Sequence, residues 1–94
     1  MTKREIHIKS VLKKKGYEFS ADFGRMSFNK YWWKKVEPKK KKTYCHVVIH
    51  IINGKAYPTF FTEFTFRDVR ELEKYYIVYN RVISDLKELG LWLQ

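Results

Sequence analysis

The side chains that could catalyse a reaction or hold a metal ion are few and poorly spaced. His46 and His50 are four residues apart in a predicted strand, so their Cα atoms should lie roughly 13 Å apart. Zinc needs three or four converging ligands, and the only cysteine, Cys45, falls on the opposite predicted strand face. The letters DFG at residues 22–24 match a kinase metal motif, but the chain has no glycine-rich loop. We therefore expect no enzyme activity, no metal site and no cofactor.

Lysines and aromatic residues together form the pattern with the clearest chemical use. Tyr31, Trp33 and Lys35 alternate along a predicted strand, and a run of four lysines follows at residues 39–42. Bases stack on aromatic rings for about 1–3 kcal/mol each, while lysines neutralise phosphates. The predicted nucleic-acid-binding residues are Lys13, Lys14, Lys15, Arg25, Lys30, Tyr31, Trp33, Lys34, Lys35, Lys39, Lys40, Lys41, Lys42, His46, His50 and Tyr57. The competing interpretation is that the aromatic residues are ordinary packing and cross-strand pairs.

The positive charge is confined to one half of the chain. The formal net charge is +10, and residues 1–44 hold fourteen Lys and Arg against four Asp and Glu, a difference of +10. Residues 45–94 hold six of each and are neutral as a group. A one-sided excess produces a directed field that attracts polyanions. The alternative is a solvated lysine loop that keeps the chain soluble and blunts aggregation.

Length and composition favour one folded domain over residues 1–94. Of the 94 residues, 45% are apolar and 18% aromatic, which is too rich for a disordered chain. The first residues are polar and charged, and no apolar run approaches the roughly 20 residues of a membrane span. We therefore expect a cytoplasmic protein, of a cell or an infected host, that does not bind membranes.

The N-terminal residues predict a short helix. Thr2 and Glu5 have the spacing of a capping box, and Gly16 is a suitable helix stop. A strand is the alternative, because Ile6 and Ile8 alternate with polar residues. Strands are then predicted over residues 17–23 and 26–36, and a loop over residues 37–42.

Asn53 and Gly54 give the strongest local signal. They separate two β-rich runs, residues 43–52 and 55–64, and Asn-Gly is the preferred pair for a type I′ hairpin turn. The turn sets a register in which Ile52 faces Lys55. One strand face is then apolar, with Cys45 and every second residue to position 51, and the other is mixed, with His46 and His50.

Residues 65–89 predict a long helix that ends at Gly90. Thr65 is a plausible N-cap, with Asp68 at the third helical position and Phe64 packing on Val69. The predicted apolar stripe is Phe66, Val69, Leu72, Tyr76, Tyr79, Ile83, Leu86 and Leu89. The helix acids Asp68, Glu71, Glu73, Asp85 and Glu88 are predicted to face solvent.

These elements predict an α+β fold. A short N-terminal helix precedes an antiparallel meander sheet of three to four strands, and the long C-terminal helix covers one sheet face. Residues 1–16 could cover the second face, which would bury Tyr31 and Trp33. An uncovered face would leave them available to a ligand.

Two functions follow as hypotheses. The first is non-catalytic binding of DNA or RNA through a basic hairpin loop and an aromatic sheet face. The second is a protein-interaction module, such as a phage or mobile-element inhibitor or regulator that docks on an acidic protein. The C-terminal helix or the apolar tail Leu91-Trp92-Leu93 could support a homodimer, or the tail could pack back on its own sheet.

Overall fold

The computed structural model of the chain describes residues 2–22, 25–37, 40–62 and 69–91, with the backbone alone at 22, 33–37 and 40–44. Its elements are α1 (Lys3–Lys14), β1 (Glu18–Asp22), β2 (Arg25–Glu37), β3 (Lys40–Ile52), β4 (Lys55–Thr62) and α2 (Val69–Glu88). The strands form one antiparallel sheet in the order β1-β2-β3-β4. The predicted α+β meander is therefore confirmed, with four strands.

The helical interpretation of the N-terminal residues is confirmed. The Thr2 hydroxyl accepts a hydrogen bond from the Glu5 backbone N–H at 3.1 Å, and the Glu5 carboxylate accepts one from the Thr2 backbone N–H at 3.0 Å. Gly16 has a φ of 95°, so it lies in the left-handed region that ends the helix without steric cost. The Tyr17 N–H then bonds to the Leu12 carbonyl at 3.0 Å, which turns the chain towards β1.

The hairpin and its register are also confirmed. Asn53 and Gly54 have φ values of 52° and 75°, as a type I′ turn requires. Ile52 lies opposite Lys55, and the pairing continues to Cys45 opposite Thr62. Cys45 and Ile51 are buried, so the predicted apolar face of β3 is the core face.

The predicted loop over residues 37–42 is wrong at both ends. β2 continues to Glu37 and β3 begins at Lys40, so three of the four consecutive lysines lie in a strand. The strand pairing between β2 and β3 extends beyond the residues whose types favour strands. Each added residue pair can contribute backbone hydrogen bonds to the hairpin that already exists. Pro38 and Lys39 lie outside the described residues.

Both helices pack on the same face of the sheet. Ile8 and Leu12 of α1 and Val82 and Leu86 of α2 belong to one buried cluster with Phe28 of the sheet. The rest of that cluster is Tyr17, Met26, Cys45, Val47, Ile49, Ile51, Val78, Leu89 and Leu91. Because α1 and α2 share one face, the described helices leave the opposite sheet face uncovered.

The predicted apolar stripe of α2 is wrong for its first half. Val78, Val82 and Leu86 are the buried apolar residues, whereas Val69 and Tyr76 are 71% and 52% exposed. The apolar and aromatic residues of this helix form an arc that is wider than its buried strip, so periodicity alone did not specify which part of the arc packs on the sheet. The predicted N-terminal features at Phe64, Thr65, Phe66 and Asp68 lie outside the described residues.

Leu91, the first residue of the apolar tail, packs back on the core, as one of the two interpretations of the tail expects. The Leu91 backbone N–H bonds to the Leu86 carbonyl at 2.9 Å, and the Leu91 side chain is buried in the core. Residues 92–94 lie outside the described residues.

Candidate nucleic-acid interface

The uncovered sheet face carries aromatic side chains from three neighbouring strands. Tyr31 of β2 lies opposite His46 of β3, and His46 lies opposite Phe61 of β4. Tyr31 is 39% exposed and Phe61 is 54% exposed. We call Tyr31, His46 and Phe61 the aromatic row. Tyr31 and His46 share the non-core sheet face, as predicted, and the described part of residues 1–16 packs on the other face.

The three rings of the aromatic row stack on one another across the strands. The ring centroids of Tyr31 and His46 are 4.1 Å apart with 7° between the ring planes, and those of His46 and Phe61 are 5.6 Å apart with 27°. Neighbouring strands are about 4.8 Å apart, so rings stacked at this spacing stand upright on the sheet. Their edges face outwards, and the faces between them are already in contact.

His46 is held in this row by a residue that sequence reasoning missed. Asn29 Oδ1 lies 3.0 Å from His46 Nε2. Because an amide oxygen accepts, the imidazole N–H is the donor in this hydrogen bond. Burial lowers the pKa of His46, while the charge of Glu18 acts in the opposite direction. Asn29 lies diagonally across from His46, and only the strand register reveals that relation, so no local motif indicated it.

His50 and Tyr57 form a second cross-strand pair on this face. They lie directly opposite each other on β3 and β4, in agreement with the predicted register. Tyr57 is 51% exposed, whereas His50 is partly buried. The pair is therefore a neighbour of the aromatic row on the same uncovered surface.

The predicted lysine run belongs to an extension of the β2–β3 hairpin. Among the described residues, β1 pairs with β2 as far as Asn29, and β4 pairs with β3 as far as Cys45, opposite its last described residue, Thr62. β2 and β3 continue to pair with each other, ending with Glu37 opposite Lys40. We call residues 33–37 and 40–44 the basic arm. Its described backbone carries the predicted residues Trp33, Lys34, Lys35, Lys40, Lys41 and Lys42.

Lys30 does not lie on the uncovered face. Its ammonium donates a hydrogen bond to the Lys15 carbonyl at 2.7 Å and lies 4.7 Å from the centre of the Trp32 ring. Burial is the main cause that lowers the pKa of Lys30. Position 30 pairs with the buried Val47, so strand alternation directs it to the helix-covered side. Lys30 was predicted to belong to the binding surface, and the structure places it on the opposite side of the sheet.

Lys15 is also engaged elsewhere. Its Nζ lies 2.7 Å from a Glu88 carboxylate oxygen and 3.5 Å from an Asp85 oxygen, on the helix-covered side. The hydrogen bond to Glu88 raises the pKa of Lys15. Lys15 therefore stabilises the contact between α1 and α2, and the structure does not bring it to the aromatic row.

Asp85 is buried, contrary to its predicted position facing solvent. Only 4% of Asp85 is exposed, and its carboxylate accepts a hydrogen bond from the Tyr17 hydroxyl at 2.9 Å. Burial, with the nearby charge of Asp85 as a second cause, raises the pKa of Tyr17. A carboxylate in this position needs partners from distant parts of the chain, and the sequence around Asp85 gives no sign of them.

The remaining predicted cations are dispersed. Lys13 and Lys14 are exposed on α1, the helix on the other side of the sheet. Arg25 begins β2 and lines a cavity of about 380 Å³ near the Asn53-Gly54 turn. Arg25 and Lys34 are nine residues apart along β2, which separates their Cα atoms by roughly 30 Å. The candidate interface is therefore the basic arm and the aromatic row beside it.

Within residues 2–22, 25–37, 40–62 and 69–91, no three His, Cys, Asp or Glu side chains come together as metal ligands. Cys45 is buried on the helix-covered side, and burial raises the pKa of its thiol to about 11. Neither helix, over its described length, is long and apolar enough to cross a membrane.

Comparison of the chain with protein-family models, with curated proteins and with solved structures finds no match.

Proposed function

We propose that this protein binds nucleic acid without catalysis, through the basic arm and the sheet face beside it. The observation that carries the proposal is the position of the arm. It continues the two strands that hold Tyr31 and His46, so a concentrated positive charge adjoins an uncovered sheet face. Lysines on an extended ribbon neutralise phosphates, and the sheet provides a surface of fixed shape beside them.

The charge of the arm is large for its size. The described strands of the arm contain five lysines and one glutamate, a difference of +4 over ten residues. When a protein neutralises phosphates, the logarithm of its affinity falls linearly with the logarithm of the salt concentration. On B-DNA each phosphate contact adds about 0.9 to the steepness of this slope. The proposed function therefore requires a steep salt dependence.

A fluorescence anisotropy titration with short labelled DNA and RNA tests the proposal. We expect tight binding at about 50 mM salt and a loss of at least tenfold at about 200 mM. A heparin titration serves as the control for general polyanion binding. No binding to DNA or RNA at the lower salt concentration would remove the proposal.

Protein binding through α2 is a second candidate function. Val69, Leu72, Tyr76 and Ile77 are apolar or aromatic and are 39–71% exposed at the N-terminal half of the helix. A group of exposed apolar side chains on one element is a feature of protein-interaction surfaces. The mass of the protein in solution tests self-association, with the double variant Leu72→Gln and Ile77→Gln as comparison. A monomer at all concentrations, together with unchanged solubility of the variant, would argue against self-association.

A further inference from the structure

Over the residues that the structure describes, the basic arm is a two-stranded ribbon. Beyond Asn29 on β2 and Cys45 on β3, the strand pairing among the described residues is that of β2 with β3. The register is constant along the ribbon, from Trp32 opposite Cys45 to Glu37 opposite Lys40. Over its described residues, the arm therefore continues the two central strands of the sheet.

The dimensions of the arm follow from strand geometry. Five residues in each strand span roughly 17 Å, and the two strands are about 4.8 Å apart. Such a ribbon fits the major groove of B-form DNA, which is about 12 Å wide and about 8.5 Å deep. The major groove of A-form RNA is deep and too narrow for protein side chains to read.

The strand register of the arm places one pair of like charges directly opposite each other, beside one pair of opposite charges, Glu37 and Lys40. Lys35 is the direct cross-strand partner of Lys42. Like charges in directly opposite positions destabilise a sheet, and a two-stranded ribbon alone is at best marginally stable in water. A polyanion along the arm removes this repulsion, so the arm is better suited to a bound state than to an empty one.

The aromatic row favours a duplex over a single strand. A base from a single strand stacks on an exposed ring face. Tyr31 and His46 are in contact face to face, with centroids 4.1 Å apart, so a base would have to separate them. A duplex that lies along the arm requires no such separation of the rings, because the row stands at the root of the arm.

From this geometry, together with the proposed function on which it rests, we infer that the basic arm enters the major groove of double-stranded DNA. Lysines at positions 34, 35, 40, 41 and 42 then lie between the two phosphate backbones that border the groove. Contacts of this kind fix position and orientation, so the affinity should depend weakly on base sequence.

The first test compares four probes of the same base sequence: duplex DNA, single-stranded DNA, single-stranded RNA and duplex RNA. We expect duplex DNA to bind at least tenfold more tightly than each of the others. Preloading the duplex with a dye that occupies the major groove should reduce binding, whereas a minor-groove ligand should not. Equal reduction by both ligands, or by neither, would overturn the inference.

The second test assigns the contact to the arm. The triple variant Lys40→Gln, Lys41→Gln and Lys42→Gln should lower the salt slope on duplex DNA by up to about 2.7. The matched control changes Lys3, Lys74 and Lys87 to Gln, which removes the same charge at exposed positions outside the interface. A triple Lys→Arg variant at positions 40–42 keeps the charge and should retain the slope. An unchanged slope in the Gln variant at positions 40–42 would contradict the role of the arm.

Different results would overturn the major-groove inference and the proposed function. Tight binding to RNA or single-stranded DNA without preference for duplex DNA would overturn the major-groove inference and keep the proposed function. Absence of binding to every nucleic-acid probe at low salt would remove both.

Discussion

The Tyr17 hydroxyl donates a hydrogen bond to the buried Asp85 carboxylate at 2.9 Å and so joins the residue before β1 to the last turns of α2. Sixty-eight residues separate the two in sequence. Lys15 lies 3.5 Å from the other Asp85 oxygen, which gives the buried carboxylate a second partner. This group holds α2 on the sheet face opposite the candidate interface.

Removing the Tyr17 hydroxyl should destabilise the protein. Tyr17→Phe deprives a buried carboxylate of one partner, and we expect a loss of about 1–3 kcal/mol in the free energy of unfolding. Urea denaturation followed by circular dichroism measures it. Tyr57→Phe, on a half-exposed tyrosine, is the matched control and should change the value by less than about 0.5 kcal/mol. Equal effects of the two variants would show that the hydrogen bond to Asp85 contributes nothing.

His46 should make stability depend on pH. Burial in the fold lowers the pKa of His46 below its ordinary value of 6.5, so between the two pKa values the unfolded chain binds more protons. The His46 contribution to the free energy of unfolding is therefore fully present above pH 6.5. It is lost as the pH falls through the pKa of His46 in the folded protein. Nuclear magnetic resonance titration of the imidazole should give a midpoint below 6.5.

His46→Phe keeps an aromatic ring in the row without a titrating group. Its unfolding free energy should fall less than that of the wild type as the pH drops below 6.5. A His46 midpoint at or above 6.5, or identical pH profiles for the two proteins, would contradict this account.

Lys30→Gln should affect stability more than nucleic-acid binding. The variant loses the charged hydrogen bond to the Lys15 carbonyl, which we expect to cost about 1–2 kcal/mol of unfolding free energy. Affinity for DNA should change less than twofold, since Lys30 lies on the helix-covered side. The single variant Lys41→Gln is the comparison and should show the reverse order of effects. A large loss of affinity in Lys30→Gln, in a fully folded sample, would restore Lys30 to the interface.

Gly54→Ala should test the hairpin turn. No atom lies within 4 Å of a Cβ built at Gly54, so the cost comes from the φ of 75° alone. A left-handed conformation costs an L-residue with a Cβ about 1–2 kcal/mol. Thermal unfolding measures this loss, with Lys55→Ala as an exposed control in the same hairpin. A loss no greater than that of the control would mean that the turn tolerates a Cβ.

Local signals in the sequence predicted much of the fold. The capping box at Thr2 and Glu5 and the turn at Asn53 and Gly54 each act within a few residues, so their geometry follows from nearby chemistry. The orientation of α2 did not follow, because its arc of apolar residues is wider than the strip that packs on the sheet, and packing selected one part of that arc. Asp85 shows the same limit, since its partners lie in distant elements.

The candidate site was predictable in its composition and only in part in its arrangement. Tyr31, His46 and Tyr57 are on the uncovered face as expected, because strand alternation and the hairpin register are local rules. Lys15 and Lys30 were expected there and lie on the helix-covered side. Their positions depend on where α1 and α2 pack, which no short segment of the chain specifies.

The sequence by itself determined the kinds of element, the central hairpin register and the concentration of positive charge in residues 1–44. These properties arise from interactions between residues that are close in the chain. Only the tertiary structure decided that both helices cover one sheet face and that β2 and β3 extend together as the basic arm. Burial of apolar surface and pairing between strands act over long sequence separations, so they select among arrangements that local preferences leave open.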